Sequence, residues 1–549
     1  MTAPVAERGR ARQRGRGIGR AAVMIGVITV LARVVGFGRQ VVFAHTVGTS
    51  CLGTAYTTAN MVPNIIYDIV LGGALASVVV PVLAGPAGRP GGPGEPAAAR
   101  QIASALLTWT VVLLVPVSAV VAVAAHPIVS VLLAGAGGCP RAGLAGVGTR
   151  MLIVFAPQVL LYGLAVVLYG ILQSHRRFGA PALAPLLSSL VVVGVYAGFG
   201  AVGGPYVNRL GSLPPSAEYL LSGGTTLGVL ALALTAVVPA WRLHIGIRPS
   251  LRFPAGVGSR VRKLALAGVA TLIAQDASVA VVIVLANRYG AGGALVLYGF
   301  AWAVFVVPYA VLAVPIATSA FPELSAASGS GFDTTAAAST RAVLLASWLG
   351  AAALVGARVP LAHVFESHAA SSASVLAVAL AAFAPGLVGY GLSANLSRVL
   401  YAREQNRAPA MAISAGWLLV IVADLLIVPF VPRSRVVPAL GLGTSIGLTV
   451  AGVALLVLVR RDRGGAALAG VPRAFLAGLA GSAAGAAAGS AVAALVRASG
   501  FFPNVGVSVL VSGIVTAVFV AVVMNLDGGD LRTALGRLRT RVPAPAAEP

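Results

Sequence analysis

The segment ITVLARVVGFGRQVVFAHTVG, residues 28–48, decides the class of fold because it is long and apolar enough to cross a bilayer. It nevertheless carries Arg33 and Arg39 inside the apolar run. A charged side chain at the centre of a bilayer costs about 2.5 to 3.5 kcal/mol on insertion scales. Two such residues indicate a helix that faces a wet or polar interior.

The composition of the whole chain supports a membrane protein. Hydrophobic residues make up 58% of the 549 residues and charged residues only 9%, against about 25% charged in soluble domains. The 38 Lys and Arg residues outnumber the 14 Asp and Glu residues. Basic residues beside apolar spans set membrane orientation, so we predict an all-α polytopic membrane protein and no nucleic-acid partner.

The chain contains about fourteen apolar runs, each long enough for a transmembrane helix. With the N-terminus inside, 28 of the 38 Lys and Arg residues fall in inner segments and 8 in outer segments, as the positive-inside rule requires. The even number predicts that both termini are cytoplasmic. The runs extend over about 21–47, 54–84, 102–134, 147–173, 180–202, 222–243, 262–287, 294–324, 339–362, 374–400, 410–432, 438–459, 473–497 and 503–525.

An internal repeat relates the two halves of the chain. Residues 156–182 align without gaps with residues 384–410, and the matches include Tyr162 with Tyr390. Residues 26–33 align with residues 268–275 at a displacement of 242. Span one therefore corresponds to span seven, and span four to span ten. A displacement of six helices preserves direction across the membrane, which predicts two parallel repeats.

The repeat predicts two six-helix lobes around a central cavity, followed by two C-terminal helices. Such lobes can rock and expose the cavity to each side alternately. Span thirteen is rich in small residues, which predicts close helix packing or a lateral groove for a lipid tail. The predicted divisions are a cytoplasmic basic tail 1–20, an N-terminal lobe 21–243, a basic linker 244–261, a C-terminal lobe 262–460, two further spans 461–525 and a cytoplasmic tail 526–549.

Arg33 and Arg39 are six positions apart, which is about 120° around a helix. A polar arc of that width suits a helix that lines a broad cavity. A fixed cation there implies an anionic cargo, and a planar guanidinium binds phosphate bidentately. The alternative is that the two side chains snorkel to an interface or form static ion pairs.

Asp276 is the strongest acidic candidate within a span. It follows Gln275, which occupies the place of Arg33 in the repeat, so Asp276 and Arg33 should lie at similar depth. We therefore count Gln275 and Asp276 among the predicted substrate-binding residues. The carboxylate either pairs with Arg33, takes a coupling proton or cation, or makes a structural hydrogen bond. Asp68 and Asp424 are weaker candidates because each can point into a helix interface.

Proline and glycine interrupt two corresponding spans. Span two contains Pro63, Gly72 and Gly73, and span eight contains Pro308 and Pro315. Proline removes a backbone donor and bends a helix. The matching positions predict hinges, although proline is also common in ordinary membrane helices.

The remaining motifs argue against a soluble enzyme. We find no Walker-type phosphate loop and no zinc-binding histidine spacing, so we predict a transporter without a cofactor or metal. The two cysteines, Cys51 and Cys139, fall in or near predicted outer loops, where a disulfide is chemically possible. Nothing in the sequence brings the two loops together, and we expect two unpaired thiols.

Two stretches resemble a known family. ARVVGFGRQVVFAHTVG at 32–48 and ANMVPNIIYDIVLGGALASVVVPVL at 59–83 are similar to the first two spans of the MurJ/MviN-type lipid II flippases of the multidrug/oligosaccharidyl-lipid/polysaccharide exporter superfamily. The fourteen spans and the repeat fit that family over nearly the whole chain. Some positions that are basic in many members are neutral here, such as Met61 and Gly72.

The resemblance implies a flippase that moves an undecaprenyl-pyrophosphate-linked peptidoglycan precursor from the inner to the outer leaflet of the bacterial plasma membrane. It places pyrophosphate binding on Arg33 and Arg39, and the Pro-Asn motif of the second span on Pro63 and Asn64. Implied partners are the lipid-linked anionic glycan, membrane lipids and cell-wall synthesis proteins. The alternatives are an exporter of another polyprenyl-linked glycan, a cation-coupled drug exporter, and a non-transporting cell-wall scaffold.

Overall fold

The computed structural model describes residues 5–69, 95–137, 139, 141–175, 177–243, 246, 248–254, 257–366, 370–496 and 498–527. Throughout these residues the regular structure is helical, with no strand. A bilayer offers no water to unpaired backbone groups, so long apolar runs satisfy their hydrogen bonds within helices. The predicted all-α polytopic class is confirmed.

The α-helices of the described residues are numbered here along the chain. In chain order they are α1 Val5–Thr46, α2 Cys51–Asp68, α3 Glu95–Val123, α4 Ala125–Leu132, α5 Arg141–Phe155, α6 Pro157–Ser174, α7 Gly179–Gly203, α8 Pro215–Trp241, α9 Val257–Tyr289, α10 Ala294–Pro308, α11 Val314–Ala326, α12 Gly329–Gly356, α13 Arg358–Val364, α14 Ala370–Phe383, α15 Gly386–Tyr401, α16 Arg407–Ile427, α17 Val436–Arg463, α18 Val471–Leu495 and α19 Phe501–Leu526.

Among the described residues, 12 helical segments are long and apolar enough to cross a membrane. A further span is formed by Ser372–Phe383 and Gly386–Tyr401, whose halves are bent by 44°. The predicted second span begins in α2, and its remainder falls in residues 70–94, outside the described residues. The predicted hinge residues Gly72 and Gly73 lie in that stretch. The described spans therefore number up to thirteen, against the fourteen predicted.

Span eight changes helix type at its prolines. The α-helix α10 ends at Pro308, a π-helix follows over Tyr309–Ala313, and α11 begins at Val314 with Pro315 in its first turn. Pro63, in contrast, is buried inside the continuous helix α2. Short π-helical turns are frequent at functional sites, and the hinge role of these prolines stays a prediction.

The chain divides into two compact units. Unit 1 comprises Met1–Ala134 and Gly138–Asp276, and unit 2 comprises Gly135–Gly137 and Ala277–Pro549. The division falls inside α9. The predicted lobe boundaries at 243 and 262 stay a prediction.

In unit 1, α1 packs along α7, α7 along α8, and α2 along α5. In unit 2, α17 packs against α15 and α16, while α18 packs between α12 and α19. Small residues of α18 make the last contacts close: Gly489 lies against Val515, and Gly478 lies against Trp348. The close packing predicted for span thirteen is confirmed.

The two cysteines are joined, so the expectation of unpaired thiols was wrong. Cys51 and Cys139 form a disulfide across 88 residues of sequence, with Cα atoms 5.7 Å apart. The packing of α2 against α5 brings the first residue of α2 beside the segment that precedes α5. That contact depends on tertiary packing, which sequence spacing does not reveal.

Candidate functional site

The two arginines of span one lie on parts of α1 that pack differently. Val30 and Val34 are 63% and 62% exposed, and Arg33 between them is exposed as well. Within five residues after Arg39, Val41, Phe43 and Ala44 are buried where α1 packs on α7. Arg39 is half-buried at the junction of these two regions. The C-terminal end of α1 is therefore fixed by packing, whereas the stretch around Arg33 is largely exposed.

Aromatic and hydroxyl groups anchor the C-terminal end of α1. The Phe43 ring lies 5.3 Å from the Tyr56 ring and 5.1 Å from the Tyr196 ring. The Tyr56 hydroxyl is 2.8 Å from the Tyr196 hydroxyl and 2.9 Å from Thr225 Oγ1. A buried polar network whose groups are all hydrogen-bonded is rigid. This network therefore supports the backbone that carries Arg39.

Arg39 lies within electrostatic range of two phenols, Tyr162 and Tyr196. Its Nε is buried and has no hydrogen-bond partner in the described part of the chain. No ion pair joins Arg39 to a carboxylate among those same residues, which distinguishes it from Arg150 and its partner Glu218 at 2.8 Å. A static ion pair therefore does not account for Arg39.

Tyr162 connects Arg39 to the Pro-Asn motif of α2. The Tyr162 hydroxyl donates to Asn64 Oδ1 at 3.2 Å, while Asn64 Nδ2 donates to the Asn60 carbonyl at 2.9 Å. The Tyr162 and Tyr67 rings lie 4.3 Å apart at 34°. The structure thus brings together Arg39 and Asn64, both predicted, through Tyr162, which the sequence marked only as a match in the repeat.

Arg33 stands apart from this cluster. It precedes Arg39 by six residues, about 9 Å along the helix axis. The ion pairs found among the described residues do not include Arg33. Its exposed guanidinium, without an ion-pair partner in the described part of the chain, is available to a ligand that approaches this stretch of α1.

The predicted latch between Arg33 and Asp276 is not formed. Asp276 is only 3% exposed, and neither carboxylate oxygen has a hydrogen-bond partner in the described residues. Asp68 interacts with it electrostatically. Burying a charge without a partner is costly, so Asp276 offers free lone pairs to a proton or cation. The half-buried Gln275 precedes it in α9.

Asp424 lies in a helix interface, which is the reason given above for considering it a weaker candidate than Asp276. It is fully buried in α16 and packs against Gly443 of α17, where a side chain larger than hydrogen would collide with the carboxylate. Both of its oxygens lack hydrogen-bond partners among the described residues. Its surroundings leave no room for a large cargo, and its place is within unit 2.

These features define a class of protein: a polytopic helical transporter with an internal repeat and an uncompensated cation inside its first span. The family model of the lipid II flippase MurJ matches residues 43–524 of the chain. The chain belongs to the MurJ family. The match begins after Arg39, so family membership does not depend on either arginine.

Individual relatives agree with this assignment. The chain is 26% identical over 395 residues to the "Probable lipid II flippase MurJ" of Rhizobium tropici, covering 70% of this chain and 71% of the relative. It is 26% identical over 456 residues to the "Lipid II flippase MurJ" of Burkholderia cenocepacia, covering 81% and 84%.

A solved structure shows the same fold. The structure of a lipid II flippase MurJ in an inward closed conformation superposes with a TM-score of 0.71 and 18% identity, covering 92% of this chain and 99% of that one.

Proposed function

We propose that this chain moves lipid II, the undecaprenyl-pyrophosphate-linked disaccharide-peptide precursor of peptidoglycan, from the inner to the outer leaflet by alternating access. One observation carries the assignment of the headgroup site. In a chain of this family, Arg39 is half-buried within a span, and no carboxylate pairs with it among the described residues. A guanidinium in that setting requires an anion, and a pyrophosphate supplies one.

The neighbours of Arg39 suit a phosphate ligand. Tyr162 supplies a hydroxyl and Asn64 an amide, so the pyrophosphate would meet one cation and neutral hydrogen-bonding groups. Charge-assisted hydrogen bonds from arginine to phosphate are about twice as strong as neutral ones. We assign Arg39 to hold the pyrophosphate, and Arg33, on the open part of α1, to attract it.

The proposed orientation has two independent supports. Lys and Arg concentrate in the segments assigned to the cytoplasm. The disulfide between Cys51 and Cys139 requires an oxidising compartment, which favours an outer position for the start of α2. Both termini are then cytoplasmic, in the plasma membrane of a bacterium.

The energy source is proposed to act through buried carboxyl groups. Asp276 and Asp424 are both buried, and their oxygens have no hydrogen-bond partners in the described part of the chain. Each offers a place for a coupling proton or cation within a span. No residue of this pair is assigned to contact the lipid.

Transport of lipid II in reconstituted vesicles tests the proposal. The purified chain is placed in vesicles that contain fluorescent lipid II, and loss of headgroup accessibility at one face is followed over time. The wild-type chain should move lipid II, and the double variant R33A/R39A should not. R209A serves as a matched control because Arg209 is an exposed residue of unit 1 outside the proposed site.

Parallel vesicles separate the alternatives. Vesicles with other polyprenyl-linked glycans test for a different cargo. Faster transport of such a glycan than of lipid II would contradict the assignment of cargo. No movement of any lipid by the wild-type chain would favour a scaffold.

A further inference from the structure

Unit 2 contains a stacked tyrosine pair that the proposed mechanism does not use. The Tyr309 and Tyr390 rings lie 3.9 Å apart at 19°. Tyr309 is the first residue of the π-helical turn that follows Pro308, and Tyr390 lies on α15. Both side chains are half-buried. The pair therefore joins the interrupted span eight to span ten and stays partly accessible.

This pair corresponds, residue for residue, to the tyrosine pair of unit 1. Tyr309 follows Tyr67 by 242 residues, the displacement that relates spans one and seven. Tyr390 follows Tyr162 by 228 residues, the displacement that relates residues 156–182 to residues 384–410. The Tyr67 and Tyr162 rings are also in contact, with centroids 4.3 Å apart, although they are tilted at 34°. Both halves of the chain thus carry a tyrosine at each of the two positions and bring the rings together.

One tyrosine of each pair lies within electrostatic range of an arginine: Tyr162 of Arg39, and Tyr309 of Arg398. Arg398 lies on α15, two turns beyond Tyr390, and its Nη1 donates to the Ala394 carbonyl at 2.5 Å. Arg39 and Arg398 do not align in the repeat, so the two arginines occupy different positions relative to their tyrosine pairs.

Arg398 lacks the carboxylate partners that neighbouring arginines have. Arg463 makes two hydrogen bonds to Asp333 at 2.8 and 2.9 Å, and Arg403 lies 3.6 Å from Asp462. No carboxylate lies within ion-pair distance of Arg398 in the part of unit 2 that the structure describes. A half-buried guanidinium with phenols for neighbours repeats the surroundings of Arg39.

We propose that Arg398, Tyr309 and Tyr390 form a second headgroup-binding cluster, in unit 2, that binds an oxyanion of the transported lipid. The guanidinium binds the oxyanion, and the tyrosine pair supplies a hydroxyl donor and an aromatic face. This inference rests on the proposed function. The oxyanion belongs either to the pyrophosphate or to a peptide carboxylate of the same lipid.

Binding to the full-length chain in detergent tests the cluster, with a short-chain polyprenyl pyrophosphate and lipid II as separate probes. R398Q should lower affinity about tenfold, because one charge-assisted contact is lost, and R398K should lower it less. R407Q is the matched control, since Arg407 is exposed at the start of the next helix. A loss with both probes identifies the pyrophosphate, and a loss with lipid II alone identifies a peptide carboxylate.

The tyrosine pair is tested with Y390F and Y390L. Y390F keeps the stacked ring and Y390L removes it, so Y390L should weaken binding of lipid II more than Y390F does. A thermal melt of each variant, measured without ligand, identifies a change that only unfolds the protein.

Wild-type affinity of R398Q for both probes would overturn the inference while leaving the proposed function intact. Conversely, a wild-type chain that binds the probes through Arg398 but moves no lipid would contradict the proposed function and support the cluster.

Discussion

Helices α1 and α9 correspond in the internal repeat, yet only α1 carries the two cations. At the displacement of 242 residues, Gln275 replaces Arg33 and Val281 replaces Arg39. Both helices contain a segment that is long and apolar enough to cross a membrane. The repeated fold therefore accepts a neutral or apolar side chain at each place. The arginines of α1 are therefore not required to build the span. Because a charged side chain in a bilayer is costly, their presence indicates a function.

The largest effect is expected when Arg39 is replaced by its counterpart in the repeat. R39V should lower the rate of lipid II transport about a hundredfold or more, because two charged hydrogen bonds to phosphate contribute about 1.5 to 3 kcal/mol each. Its thermal stability should not fall, because a half-buried charge is removed from the span. The initial rate in vesicles, with R209A as the control, measures the effect. A normal rate in R39V would show that Arg39 does not hold the headgroup.

Replacement of Arg33 by its counterpart should have a smaller effect. R33Q should slow transport about tenfold, since an exposed cation is screened more strongly than a half-buried one. R33K should restore much of the rate because a point charge suffices to attract an anion. Rates measured at low and high salt check this explanation. If R33Q transports lipid II at the wild-type rate at low salt, Arg33 does not belong to the binding site.

Loss of the Tyr162 hydroxyl should have a still smaller effect. Y162F removes the hydrogen bond to Asn64 and should weaken lipid II binding about fivefold, which corresponds to about 1 kcal/mol. Y169F is the matched control on the same helix, because it removes a hydroxyl that bonds the Leu232 carbonyl at 2.7 Å. Equal losses in both variants would point to general destabilisation and not to a role at the site.

The disulfide should matter least for transport. Gly293 replaces Cys51 in the repeat, so the corresponding connection in the second half has no covalent link. C139S should lower the stability of unit 1 by about 2 to 4 kcal/mol and leave the transport rate within about twofold. Thermal melts with and without reductant check the first value. A large loss of transport rate in C139S would show that the disulfide is also needed for transport.

The sequence was sufficient to predict the helices, the class and the repeat, because apolar runs in a bilayer have essentially one way to satisfy their backbone. It also predicted the interruption at Pro308 and Pro315, since proline acts on its own helix. Contacts between distant segments were harder. The disulfide depends on how α2 packs on α5, and Tyr162 acquires its role only because α6 also packs against α2 and brings its hydroxyl to Asn64.

Asp276 shows the same limit. Its position in span seven was evident from the repeat, whereas its missing partners became visible only in the packed structure. A sequence identifies which residues are costly in a membrane, but the neighbours that offset the cost come from tertiary contacts. The tyrosine pairs were partly predictable: the repeat aligned Tyr162 with Tyr390, but it did not show that each ring packs against a second tyrosine.

An experimental structure of this chain with a bound polyprenyl pyrophosphate lipid tests the central claim most directly. We expect a phosphate oxygen within about 3 Å of the Arg39 guanidinium, with Tyr162 and Asn64 beside it. A pyrophosphate bound elsewhere, with Arg39 turned toward lipid tails or paired with a carboxylate, would contradict the account.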